Sequence, residues 1–155
     1  MSTFFSGALK NLAPYTPGEQ PQDQQYVKLN TNESPYPPSA GVITALNAKE
    51  ASDLRLYSDP ECKELKKALA DYYKVEPENI YVGNGSDEAL NFAFLSYATD
   101  GRGVAFADIT YGFYPVFADL YHIPVQIVPL KSDFSIVPED YYGLNKTIVI
   151  ANPNA

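Results

Sequence analysis

Tyr81-Val82-Gly83-Asn84-Gly85-Ser86-Asp87-Glu88 is the stretch on which the reading of this chain turns. Two β-prone residues lead into a pair of glycines, and the glycines lead into a serine and two carboxylates. That order describes a strand at 79–82, a tight loop at 83–85 and a helix at about 87–98, with Ser86 as N-cap and Asp87 and Glu88 in the first turn. Such a turn leaves backbone N–H groups without intrahelical partners at the positive end of a helix dipole. It is a seat for an anion such as a phosphate. Gly83 and Gly85 permit close approach and positive φ. The Ser86 hydroxyl can donate to a phosphate oxygen instead of capping the helix, and Asp87 would meet an anion through its backbone N–H. The same residues also fit a plain strand-to-helix turn with a good cap, a common feature.

Outward from the turn the pattern alternates. Towards the C-terminus come an apolar strand at 103–107, a helix at 111–121 carrying Phe113, Val116, Phe117 and Leu120, and a strand at 125–129. A short helical turn at 138–142 and a strand at 147–150 follow. Towards the N-terminus, a helix at about 61–74 sets Leu65, Leu69, Tyr72 and Tyr73 on one face and Lys63, Glu64, Lys66 and Lys67 on the other. Before it lie a loop at 51–60 and a helix at about 39–50, in which Val42, Ile43 and Leu46 follow Ser39 at helical spacing. The first 40 residues hold Pro14, Pro17, Pro21, Pro35, Pro37 and Pro38 and read as an extended arm, with one short strand around Val27 and Leu29. Alternating strands and helices predict an α/β fold with a parallel sheet. The expected division is 1–50 as arm and small-domain segment and 51–155 as the main domain, broken off after its last strand.

Composition narrows the function. The 155 residues are 45% apolar and 19% charged, enough for a core. A net charge of -8 and a pI near 4.5 speak against a duplex nucleic-acid binder, which needs a basic face. Cys62 is the one cysteine, so no internal disulfide forms and a reducing, cytoplasmic setting fits. With one histidine and one cysteine, a metal site would have to rest on carboxylates. No stretch has the length of a membrane helix, and the N-terminus lacks the pattern of a signal peptide.

A second feature follows the strand at 103–107: Asp108-Ile109-Thr110-Tyr111-Gly112-Phe113-Tyr114. Ligands sit beyond the C-terminal ends of strands in open parallel sheets, and a tyrosine there can lie against an aromatic cofactor. Phe113 reads as core packing, whereas Tyr111 fits either role. Asp108 stands about 20 residues past the glycines, the place of the ribose-binding acid in Rossmann-like nucleotide domains, although a third glycine is missing. Asn30, Asn32 and Glu33 beside Pro35 fit turn hydrogen bonds, and Tyr57 fits a surface ring or a hydroxyl reaching a neighbouring subunit. His122 reads as a helix C-terminal histidine.

In order along the chain stand Leu12-Ala13-Pro14-Tyr15, Leu29-Asn30-Thr31-Asn32-Glu33-Ser34-Pro35, Leu56-Tyr57-Ser58-Asp59-Pro60, Gly83-Asn84-Gly85-Ser86-Asp87-Glu88, Thr110-Tyr111-Gly112-Phe113-Tyr114 and Asn152-Pro153-Asn154-Ala155. Together they resemble the histidinol-phosphate aminotransferases, a group of fold-type I pyridoxal-phosphate-dependent aminotransferases. The resemblance implies the N-terminal part of an aspartate-aminotransferase-like large domain with pyridoxal 5'-phosphate as cofactor. It implies that Gly85, Ser86 and Asp87 hold the cofactor phosphate, that Tyr111 stacks on the pyridine ring and that Asn154 meets the ring hydroxyl. Tyr57 would reach the phosphate in the partner subunit of a homodimer, and Tyr15 and Asn32 would line the substrate entrance. The substrates implied are histidinol phosphate or a related amino donor and a 2-oxo acid. Two departures stand out. Ala155 occupies the place of the family's usual ring-contacting asparagine, which puts Asn154 one position early. The lysine that joins the cofactor as a Schiff base lies further on in the family, so no catalytic residue is assigned and these residues alone are expected to be inactive.

Overall fold

The computed structural model describes residues 6–9, 12, 19, 23, 26–27, 29–46 and 52–154. The chain divides into two compact units, one of Met1–Gln20 with Asn84–Ala155 and one of Pro21–Gly83. Among the described residues the bounded α-helices are α1 (Ala40–Ala45), α2 (Lys63–Tyr73), α3 (Ser86–Tyr97) and α4 (Phe113–Leu120), and the strands are β1 (Val104–Ala107), β2 (Val125–Val128) and β3 (Thr147–Ile148). Short 3-10 turns occupy Gly7–Leu9, Pro77–Asn79 and Pro138–Tyr141.

The sheet lies in the larger unit, in the order β2-β1-β3, with both pairings parallel. The expected α/β class with a parallel sheet is therefore what forms. β1 is the middle strand, and all four of its residues are buried. Its alternating side chains divide two small cores. Val104 and Phe106 join Phe94, Ala98, Tyr114, Phe117, Ala118 and Ile123 on the face covered by α3 and α4. Ala105 turns to Val128 and Tyr141 on the other face. Aromatic rings make up much of the first core: Phe94 lies 5.4 Å from Phe117 and Phe106 5.8 Å from Tyr114, centroid to centroid.

Gly103 joins the three strands at their N-terminal ends. It takes φ +84, and a Cβ there would stand 2.4 Å from the Pro124 carbonyl oxygen. The next N–H, of Val104, donates to that oxygen, and the Gly103 carbonyl accepts from the Thr147 N–H. After α4 the chain turns through His122 in the left-handed region, with the Ile123 N–H closing onto the Ala118 carbonyl. That agrees with the helix C-terminal reading of His122.

Several expected elements change. No strand forms at 79–82. Pro77 starts a 3-10 turn, which needs no N–H from it, and a capping box between Glu76 and Asn79 locks that turn through Asn79. What remains, 80–82, is extended at Ile80 but joins no ladder among the described residues. The strand expected around Val27 and Leu29 is likewise not seen at the residues described there. α1 spans only six residues, with Ser39 capping the Val42 N–H, and 47–50 lie outside the described residues. Ser52 and Asp53 are helical where a loop is expected. α2 starts at Lys63 because the Asp59 carboxylate accepts the N–H groups of Glu61 and Lys63, at 3.0 and 2.9 Å. α4 starts at Phe113 rather than Tyr111, and β2 and β3 are shorter than expected.

Candidate functional site

The glycine turn differs from its sequence reading in one useful respect. Gly85, not Ser86, is the N-cap of α3, at φ +82 and ψ 173, and Ser86 is the first helical residue. Positive φ favours glycine, and no neighbouring atom lies where a Cβ at Gly85 would be. Among the described residues no side chain caps the helix at this position. The first N–H groups of α3 have no carbonyl one turn back to receive them, so the turn presents donors and open space together. Glu88 braces the loop from below, its carboxylate accepting the Asn84 N–H at 2.6 Å.

Tyr111 comes to this turn from the loop between β1 and α4. Its hydroxyl donates to the Asp87 carboxylate at 2.8 Å. Its ring stacks on Phe113 at 6.2 Å and meets Tyr114 edge-on at 5.6 Å, and it keeps 37% of its surface exposed. Phe113 packs against the core, as its sequence position suggests. The fold thus sets a partly open aromatic face beside an uncapped helix N-terminus.

Asp108 plays a structural part instead of a ribose-binding one. One oxygen of its carboxylate accepts the N–H groups of both Ile109 and Leu130, at 3.0 and 2.9 Å, which ties the end of β1 to the end of β2. No paired strand leads into the glycines either, so the geometry gives the nucleotide-domain reading no support.

Asn154 reaches the same edge of the sheet. Its side-chain amide donates to the Ile109 carbonyl at 3.0 Å. Beside it a cavity of about 70 Å³ is lined by Ala107, Thr110, Tyr141 and Ala151 among others. Tyr141 is buried there, and its hydroxyl has no hydrogen-bond partner among the described residues. Burial first, then the nearby Asp108 and Asp140 charges, push its pKa up. Sequence reasoning misses Tyr141, because nothing in a short Pro-started turn marks which of its side chains goes inward.

Of the other expected site residues, Tyr57 and Asn32 belong to the second unit. Tyr57 is fully exposed, and Asn32 is an exposed turn residue at φ 52. Tyr15 lies outside the described residues. Among the described residues no three His, Cys, Asp or Glu side chains gather as metal ligands. No described helix is long and apolar enough to cross a membrane.

The chain is similar to known proteins along its whole length. The family model of aminotransferase class I and II matches residues 24–155. A histidinol-phosphate aminotransferase from Marinomonas sp. (strain MWYL1) is 52% identical over all of this chain and 44% of its own length. Proteins of the same name from Brachyspira hyodysenteriae and Clostridium acetobutylicum are 49% and 48% identical, with the same coverage. The chain spans less than half the length of these relatives. With the match reaching from before Asn32 through the glycine turn and Tyr111 to Asn154, the chain belongs to the aminotransferase class I and II family.

Proposed function

We propose that the protein carrying this chain is a pyridoxal-phosphate-dependent aminotransferase that moves an amino group between histidinol phosphate, or a closely related amino donor, and a 2-oxo acid. The observation that carries this reading is the hydrogen bond from Tyr111 to Asp87, which holds an aromatic ring beside the open N–H groups of α3. A phosphate joined to a flat ring would use both at once. In this reading 51–155 is the N-terminal part of the cofactor-binding large domain and 1–50 the arm and small-domain segment.

The residues present fit the cofactor. Gly85 allows close approach without a side chain, the Ser86 hydroxyl is released from capping, and the N–H groups of Ser86 and Asp87 point out of the helix start. Together they would hold the phosphate and fix the cofactor's place. Tyr111 would lie against the pyridine ring and exclude water from one face. Asn154, anchored on Ile109, would orient the ring hydroxyl. Tyr57 would reach the phosphate in the partner subunit of a homodimer, and Tyr15 and Asn32 would border the substrate entrance. When bound, pyridoxal phosphate supplies an electron sink for the carbon that loses its proton. The single cysteine, Cys62, fits a reducing, cytoplasmic setting for such an enzyme.

The test is cofactor titration of the full-length apoprotein. Wild type should bind pyridoxal phosphate, Ser86→Ala should weaken binding about tenfold through loss of one charge-assisted hydrogen bond, and Gly85→Val should nearly abolish it. A panel of amino donors then checks histidinol phosphate. A full-length protein that fails to bind the cofactor, or binds it equally well as Gly85→Val, would overturn the reading.

A further inference from the structure

Asp87 poses a chemical question that phosphate binding alone does not answer. A carboxylate in the first turn of a helix is favourable by itself, but an anion bound to the same N–H groups repels it. The fold gives the carboxylate a second role, as acceptor for the Tyr111 hydroxyl at 2.8 Å, across 24 residues of sequence. The Tyr111 ring is also packed, with Phe113 stacked on it at 6.2 Å and Tyr114 against its edge, yet over a third of it stays exposed. Ring packing acts on the faces and edges of the ring, whereas the hydroxyl bond fixes its far end in direction as well as distance.

We infer that Asp87 is a positioning residue for Tyr111: its carboxylate anchors the phenol and so fixes the plane on which the cofactor ring lies, while its backbone N–H serves the phosphate. One residue then sets both the seat and the tilt of the ring. The phenol also draws the carboxylate charge towards residue 111 and eases its conflict with the phosphate. This inference rests on the pyridoxal-phosphate reading above and assigns a task to the Asp87 carboxylate, the partner in the hydrogen bond from which that reading starts.

The experiment uses the full-length protein stripped of cofactor and titrated with pyridoxal phosphate, followed by the dissociation constant and by the circular dichroism of the bound cofactor's visible band. Asp87→Ala and Tyr111→Phe should each weaken binding about 5- to 10-fold and reduce the dichroic band. The double variant should be no weaker than the worse single, because the Tyr111–Asp87 bond is lost in either. Asp87→Asn keeps an acceptor oxygen and should stay within about twofold of wild type. Melting temperatures of the apoproteins should be unchanged, since both groups are exposed. Tyr111→Phe binding as wild type, losses that multiply in the double variant, or losses that follow apoprotein stability would each overturn the inference. Wild type failing to bind at all would instead overturn the cofactor reading.

Discussion

Gly103 carries φ +84, with the Pro124 carbonyl oxygen 2.4 Å from where a side chain would start. Gly103→Ala should destabilise the protein by about 3 kcal/mol, from backbone strain and a clash with main chain that cannot move aside, measurable by denaturant unfolding. Tyr141 offers the opposite case. Its buried hydroxyl lacks a partner, so Tyr141→Phe should be neutral or stabilising by up to about 1 kcal/mol. Burial also raises the pKa of Tyr141 and of Tyr114 above the usual 10.0. The folded state then keeps these protons to higher pH than the unfolded chain does. The stability they lend is complete below the unfolded value and is lost as pH rises through the folded one. Unfolding followed from neutral pH into the alkaline range should show that loss, and the loss should shrink in the two Phe variants. Tyrosines also mark what the sequence can reveal. Tyr111 is legible because it follows closely on a strand end, where ligands collect. Tyr141 is not, because its burial in a 3-10 turn depends on Ala105 and Val128 from two separate strands.

Among the elements, β1 is the most legible, since an apolar run bounded by Gly103 and Asp108 suits a middle strand buried on both faces. The strand expected at 79–82 fails for a local reason: Pro77 and the Glu76–Asn79 capping box hold the segment in a 3-10 turn, which no count of β-prone residues registers. Helix α3 stands where the sequence puts it but starts one residue early, at Ser86 behind Gly85, and that shift is what frees the serine hydroxyl. Helix α2 depends on Asp59, whose carboxylate is held below its usual 3.8 by the N–H of Lys63 first and that of Glu61 second. A lowered folded pKa means the contribution is present above the unfolded value and lost as pH falls through the folded one. Asp59→Ala should therefore fray the start of α2 at neutral pH, seen as faster amide exchange at Glu61 and Lys63. The same variant should differ little from wild type in strong acid.

Across the whole molecule, the outer strands and α3 leave apolar surface in solvent. Val125, Ile127, Ile148 and Ile150 are each more than two-fifths exposed, and Leu90, Phe94, Tyr97 and Val149 border an apolar groove of about 220 Å³. Surfaces of this kind normally meet protein. These 155 residues expressed alone should therefore self-associate, and a stable monomer by light scattering would contradict that. The phosphate turn and the ring beside it lie within one unit, while Tyr57 and Asn32 belong to the other, so only the first half of the proposed site is drawn by the fold itself. The decisive experiment is a crystal structure of the full-length protein with pyridoxal phosphate. Phosphate oxygens should lie about 3 Å from the N–H groups of Ser86 and Asp87, with the pyridine ring flat against Tyr111. A phosphate bound elsewhere, or Tyr111 turned away from the ring, would refute the cofactor assignment.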